Sequence, residues 1–156
     1  MIRRPRVQDV PQMLALINTR AAKGEILPRS QNYVCQNIRD FFVAEEGGQL
    51  VACGALHVLW SDLGEVRALA SEAWAGPEVE RQIVRALLDE GRRLGLERVF
   101  AFTYFPTFFF ELGFVQVPRE SLPRVAWREC IDCVKFPAAC DETTVCIELR
   151  DGKGKT

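Results

Sequence analysis

Between Glu65 and Phe114 the chain reads as strand, tight loop, long helix, apolar strand, short aromatic helix and Gly-Phe. Few architectures accept that order. From about Pro77 to Leu94 the apolar stripe is Val79, Ile83, Leu87 and Leu94, with Glu80, Arg81, Arg85, Asp89 and Arg92 on the polar face. Gly95 ends the helix, and Val99-Phe100-Ala101-Phe102 within Arg98–Thr103 is continuously apolar, as a strand covered on both faces would be. Glu65–Ser71 supplies the strand before the helix. A strand–helix–strand crossover implies a parallel pair, so the segment demands an α/β layer structure. Thr107–Leu112 then predicts a short aromatic helix stopped by Gly113.

The flanking segments fit round this unit. Ile2–Arg6 predicts a first strand, and Asp9 is placed to cap a helix with the apolar spacing Val10, Leu14, Ile17 and Ala21. Gly24 to Arg29 is an irregular connection. Ser30 caps a second helix over Gln31 to Arg39. Phe41–Glu45 and Leu50–Trp60 are β-rich and joined through Gly47-Gly48, a strong hairpin signal. A last strand falls near Thr143–Leu149. Residues 1–150 are expected to form one domain and 151–156 a polar, fraying tail.

Charge and composition narrow the function. A formal net charge of −1 gives no global electrostatic case for nucleic acid or a membrane surface. No apolar run approaches the roughly 18–20 residues that span a bilayer. The opening Met-Ile-Arg-Arg-Pro-Arg lacks a signal peptide's apolar core, so a cytoplasmic, reducing environment is expected for the six cysteines. Cys35 and Cys53 lie in strongly patterned segments and are expected to be buried. Cys130-x2-Cys133-x6-Cys140 has zinc-like spacing, with Asp141 or Cys146 as a fourth ligand. Buried free thiols are the plainer reading, and no metal is expected.

The overall order resembles the GNAT superfamily of acyl-CoA-dependent N-acetyltransferases. Several pieces resemble its short amino-acid N-acetyltransferases of the N-acetylglutamate synthase type: Ile26-Leu27-Pro28-Arg29-Ser30, Ala55-Leu56-His57-Val58-Leu59, Glu65-Val66-Arg67-Ala68-Leu69-Ala70, Leu112-Gly113-Phe114 and Trp127 to Pro137. The resemblance implies a mixed, twisted sheet of about six to seven strands flanked by about four helices. It also implies acetyl-CoA as cosubstrate and transfer of its acetyl group to the α-amine of glutamate or a similar amino acid. The partners are then small molecules, with a homodimer left open.

The resemblance assigns candidate roles. Glu65 is the first candidate general base and His57, the only histidine, the second. Tyr104 is the candidate acid, because Phe109 stands where many relatives carry a tyrosine four residues before the Gly of Gly-Phe. Arg29 and Arg67 are candidate clamps for the two carboxylates of glutamate, since a guanidinium reads a carboxylate bidentately. Backbone groups at Leu69 and Ala70 are expected near the acetyl carbonyl. Gly76, Val79 and Arg81 belong to the expected phosphate cradle, a helix start whose N–H groups and dipole face the diphosphate.

That cradle departs from the pattern Arg/Gln-x-x-Gly-x-Gly/Ala. The chain reads Trp74-Ala75-Gly76-Pro77-Glu78-Val79-Glu80-Arg81. Pro77 removes an N–H. Each of Glu78 and Glu80, if about 6 Å from phosphate charge, would cost about 2–3 kcal/mol at an effective dielectric near 20. The same residues also make a self-sufficient helix start. The alternative function is therefore a catalytically weakened domain serving as an amino-acid sensor or partner-binding module.

Overall fold

Residues 1–127 and 141–149 are described in a computed structural model. The elements run β1 (Ile2–Arg3), α1 (Val10–Ala22), α2 (Gln31–Gln36), β2 (Phe41–Glu46), β3 (Gln49–Trp60), β4 (Leu63–Ser71), α3 (Pro77–Leu94), β5 (Arg98–Thr103), α4 (Pro106–Phe110), β6 (Val115–Gln116) and β7 (Thr143–Glu148). The strands form one sheet in the order β1-β2-β3-β4-β5-β7-β6. Among the described residues, only β4 and β5, joined by the α3 crossover, pair in parallel. This mixed seven-stranded sheet and the four helices among the described residues agree with the six to seven strands and about four helices that the resemblance implies.

Each face of the sheet carries its own core. Val79, Ile83, Val84 and Leu87 of α3 pack on Val51, Leu56 and Val99. Met13 and Ile17 of α1 and Val34 of α2 pack on Phe41, Val43 and Cys53 on the opposite side. Gly54 lets α3 approach β3, since a Cβ there would lie 2.7 Å from Ile83 Cγ2. The β2–β3 turn uses Gly47 and Gly48, both at positive φ, the conformation a two-residue hairpin asks for.

Several local expectations are corrected. β1 stops at Arg3, because Pro5 offers no N–H to a ladder. Asp9 makes no cap bond to α1; instead it accepts from the Arg6 backbone N–H at 2.7 Å and from Arg3 Nη1 at 2.8 Å, closing a short 3-10 turn before the helix. Ser30 does cap α2, accepting from Tyr33 N–H at 3.0 Å. α2 ends at Gln36, where the Asn37 side chain donates to Tyr33 O, and a separate 3-10 turn covers Ile38–Asp40. Leu94 is exposed; Val84 and Leu88 widen the buried stripe instead. Cys35 is exposed and only Cys53 of that pair is buried.

The most consequential difference lies in β4. Strand alternation places Glu65, Arg67, Leu69 and Ser71 on one face. Ala68 instead adopts φ 55, and the β3–β4 register shifts across Cys53 and Ala55. The bulge splits the set. Arg67 reaches Tyr33 of α2, whereas Leu69 joins the α3 core and Ser71 bonds to Glu80 of α3.

Candidate active site

β4 and β5 share only three pairs, Leu63 with Arg98, Gly64 with Val99 and Glu65 with Phe100. Beyond Glu65 the two strands no longer pair, and the bulge at Ala68 falls where they separate. A cleft of about 460 Å³ lies there. Leu69, Ala101, Phe102, Phe108 and Phe109 give it apolar walls, while Arg29, Glu65, Arg67 and Tyr104 supply polar groups. Apolar walls with a few convergent polar side chains are the usual make-up of a small-molecule site.

Glu65 and Arg67 are both buried, at 7% and 8% exposure, and Arg67 Nε donates to Glu65 Oε1 at 2.8 Å. Arg29 enters from the loop after α1. Its backbone is held in both directions by Asn18, whose Oδ1 accepts from Arg29 N–H and whose Nδ2 donates to Arg29 O, each at 3.0 Å. The Arg29 guanidinium lies over the Tyr33 ring at 4.2 Å, and Tyr33 OH is 3.4 Å from Arg67 Nη1. Tyr33 thus links the two arginines that the sequence separates by more than a helix.

Other candidates lie elsewhere. His57 is not part of the cleft lining; its Nδ1 stands 2.9 Å from Asp40 Oδ2, tying β3 to the turn after α2. Ala70 is buried against the α1 side of the sheet, and Val79 in the α3 core. Gly76 precedes α3 at φ 81. Arg81 faces the surface, bonded to Glu111 and Glu78, and both carboxylates raise its pKa. Phe109 is buried with its ring edge-on to Phe108 and Phe114. Cys130, Cys133 and Cys140 lie outside the described residues, among which no cluster of three metal-ligating side chains occurs.

Sequence reasoning missed a network whose Arg20, Glu25 and Glu80 also line the cleft. Arg20, from the last turn of α1, donates through Nη1 to Glu80 Oε2 at 2.9 Å and to Leu69 O at 3.1 Å, and through Nε to Glu25 Oε1 at 3.0 Å. Ser71 Oγ donates to the same Glu80 oxygen at 2.5 Å. The residues come from four separate segments, so no local spacing announces them. Glu80 reads as polar-face on the α3 helical pattern, yet it is only 9% exposed.

No protein-family model matches the chain. It is 40% identical over 121 residues to an amino-acid acetyltransferase of Mycobacterium tuberculosis, covering 75% of this chain and 69% of the relative. It is 33% identical to an uncharacterized N-acetyltransferase of Chlorobaculum tepidum, covering 90% and 91%. Among solved structures, a Mycobacterium tuberculosis protein in complex with CoA superposes with a TM-score of 0.82 at 31% identity, over 95% of this chain and 98% of that one. The N-acetylglutamate synthase of Neisseria gonorrhoeae, complexed with coenzyme A and N-acetyl-glutamate, superposes with a TM-score of 0.87 at 25% identity, over 97% of this chain and 35% of that one. The chain belongs to the GNAT superfamily, among its amino-acid N-acetyltransferases.

Proposed function

We propose that this acetyl-CoA-dependent N-acetyltransferase acetylates the α-amine of glutamate or a closely similar amino acid. The observation that carries the reading is a buried carboxylate and a buried guanidinium, Glu65 and Arg67, side by side where β4 leaves β5. An α-amino acid presents an ammonium beside a carboxylate, and this pair offers the complementary charges side by side. Arg29, pinned by Asn18 across the same cleft, is the group for a second, distal carboxylate.

In this scheme Glu65 takes the ammonium proton, directly or through one water. The freed nitrogen attacks the thioester carbonyl carbon, the C–S bond breaks, and the sulfur leaves as thiolate. Main-chain groups at Leu69 steady the carbonyl oxygen, and Tyr104 at the end of β5 is the side chain that returns a proton to the sulfur. The relatives named amino-acid acetyltransferase and N-acetylglutamate synthase support the reaction class.

Thiol release measured with acetyl-CoA and each common amino acid tests the proposal. Glutamate is expected to give the highest kcat/KM, and a maximum at a hydrophobic amino acid would overturn the acceptor assignment. Arg29→Ala is expected to raise the KM for glutamate about tenfold or more, since losing a charged contact costs about 1.5–3 kcal/mol. An unchanged KM removes Arg29 from the site. Glu65→Gln is expected to lower kcat by about 10²-fold or more.

A further inference from the structure

The start of α3, whose Pro77 and Glu80 line part of the cleft, is poorly equipped to hold a diphosphate. Pro77, the first helical residue, has no N–H to offer. Glu80 points inward and is held by Arg20 and Ser71, so the first turn already contains its own carboxylate. Arg20 is committed to Glu80, Glu25 and Leu69 O. Arg81 and Arg85 are paired with Glu78, and Arg81 also with Glu111. The cations near this helix start therefore answer protein carboxylates, the role that bound phosphate fills at an ordinary anion-binding helix terminus. What remains for a donor is the cleft itself, with apolar walls and the strand edge of β4 beyond Glu65.

We infer that this chain recognises its donor by the pantetheine arm and thioester, with little contribution from the nucleotide diphosphate, and that acyl-pantetheine thioesters without the nucleotide serve as donors beside acetyl-CoA. The Glu80–Arg20 pair sets this preference. The inference rests on the thioester-donor reading above, not on the identity of the acceptor. The chemistry is unchanged between donors: the amine nitrogen bonds to the carbonyl carbon, the C–S bond breaks, and the leaving group is a pantetheine thiol in either case.

Calorimetric titration of the full chain with CoA and with pantetheine tests it without turnover. Pantetheine is expected to bind within about tenfold of CoA, and CoA binding to weaken less than about threefold between 50 and 500 mM salt. CoA binding more than about 100-fold tighter, or no binding of either thiol, overturns the inference. Glu80→Ala is expected to release Arg20 and tighten CoA about tenfold while leaving pantetheine unchanged; Glu80→Gln, which keeps the side-chain shape, is expected to do the same. Weaker CoA binding by a folded variant also overturns it. Acetyl transfer from acetyl-pantetheine to glutamate, read by thiol release, separates the two claims. Failure with both donors, with thiol binding intact, sinks the glutamate assignment and leaves the donor preference standing.

Discussion

Asp9 carries three N–H bonds, two from the Arg3 fork and one from the Arg6 backbone, on a residue only 6% exposed. The Arg3 guanidinium is the main reason its carboxyl titrates below the ordinary 3.8, against the opposing effect of burial. Because the folded pKa is depressed, Asp9 stabilises the fold at every pH above the unfolded value and loses that contribution as pH falls through the folded one. Asp9→Asn is expected to cost about 2–3 kcal/mol in urea unfolding at pH 7 and to flatten the acid limb of the stability curve below about pH 4. A parallel limb in the variant would refute the assignment. Cys53 makes a second case. Burial, with a smaller push from the Glu80 charge, raises its thiol to about 12. Native protein at pH 8 is expected to alkylate at exposed Cys35 and spare Cys53, read peptide by peptide by mass spectrometry.

At the scale of elements, the bulge in β4 decides what the strand can do. A regular strand would keep Glu65, Arg67 and Leu69 on one face. The extra residue at Ala68 sends Arg67 toward α2 while Leu69 stays in the α3 core. Ala at φ 55 costs on the order of 1 kcal/mol relative to glycine, so Ala68→Gly is expected to be neutral or slightly stabilising. A β-branched side chain cannot rest there. Ala68→Val is expected to lower stability by about 2 kcal/mol or more and to reduce kcat/KM, as the bulge straightens and Arg67 leaves the cleft. A fully active Ala68→Val protein of wild-type stability would show that the bulge does not position the site.

At the scale of the whole molecule, β1–β4 and β5–β7 share three ladder pairs, with Leu63 packed on Phe100 beside them and α3 crossing between them. The cleft occupies the gap, so a ligand bound there touches both halves at once. Acetyl-CoA at about 100 times its Kd is expected to stabilise the chain by about 2.7 kcal/mol, seen as a raised Tm in scanning calorimetry. A Tm that does not move at saturating concentrations would mean that the folded chain does not bind the donor. Among the described residues, no helix is long and apolar enough to cross a membrane.

Periodicity and punctuation alone determined the skeleton. The stripe of α3, the continuous apolar run of β5, the Gly47-Gly48 hairpin and the Ser30 cap are local properties, written in neighbouring residues and set by backbone sterics and burial. The same local signals misplaced Leu94, Cys35 and the Asp9 cap, because each depends on what packs against it. Tertiary structure decided the site. Alternation already sets Arg67 beside Glu65, but the bulge that takes Leu69 off their face is not revealed by it, nor is the meeting of Arg29 with Tyr33 from a loop pinned by Asn18. The Arg20–Glu80 pair joins residues 60 positions apart. A charge read along a helix looks solvated; only the fold shows whether water or another side chain answers it.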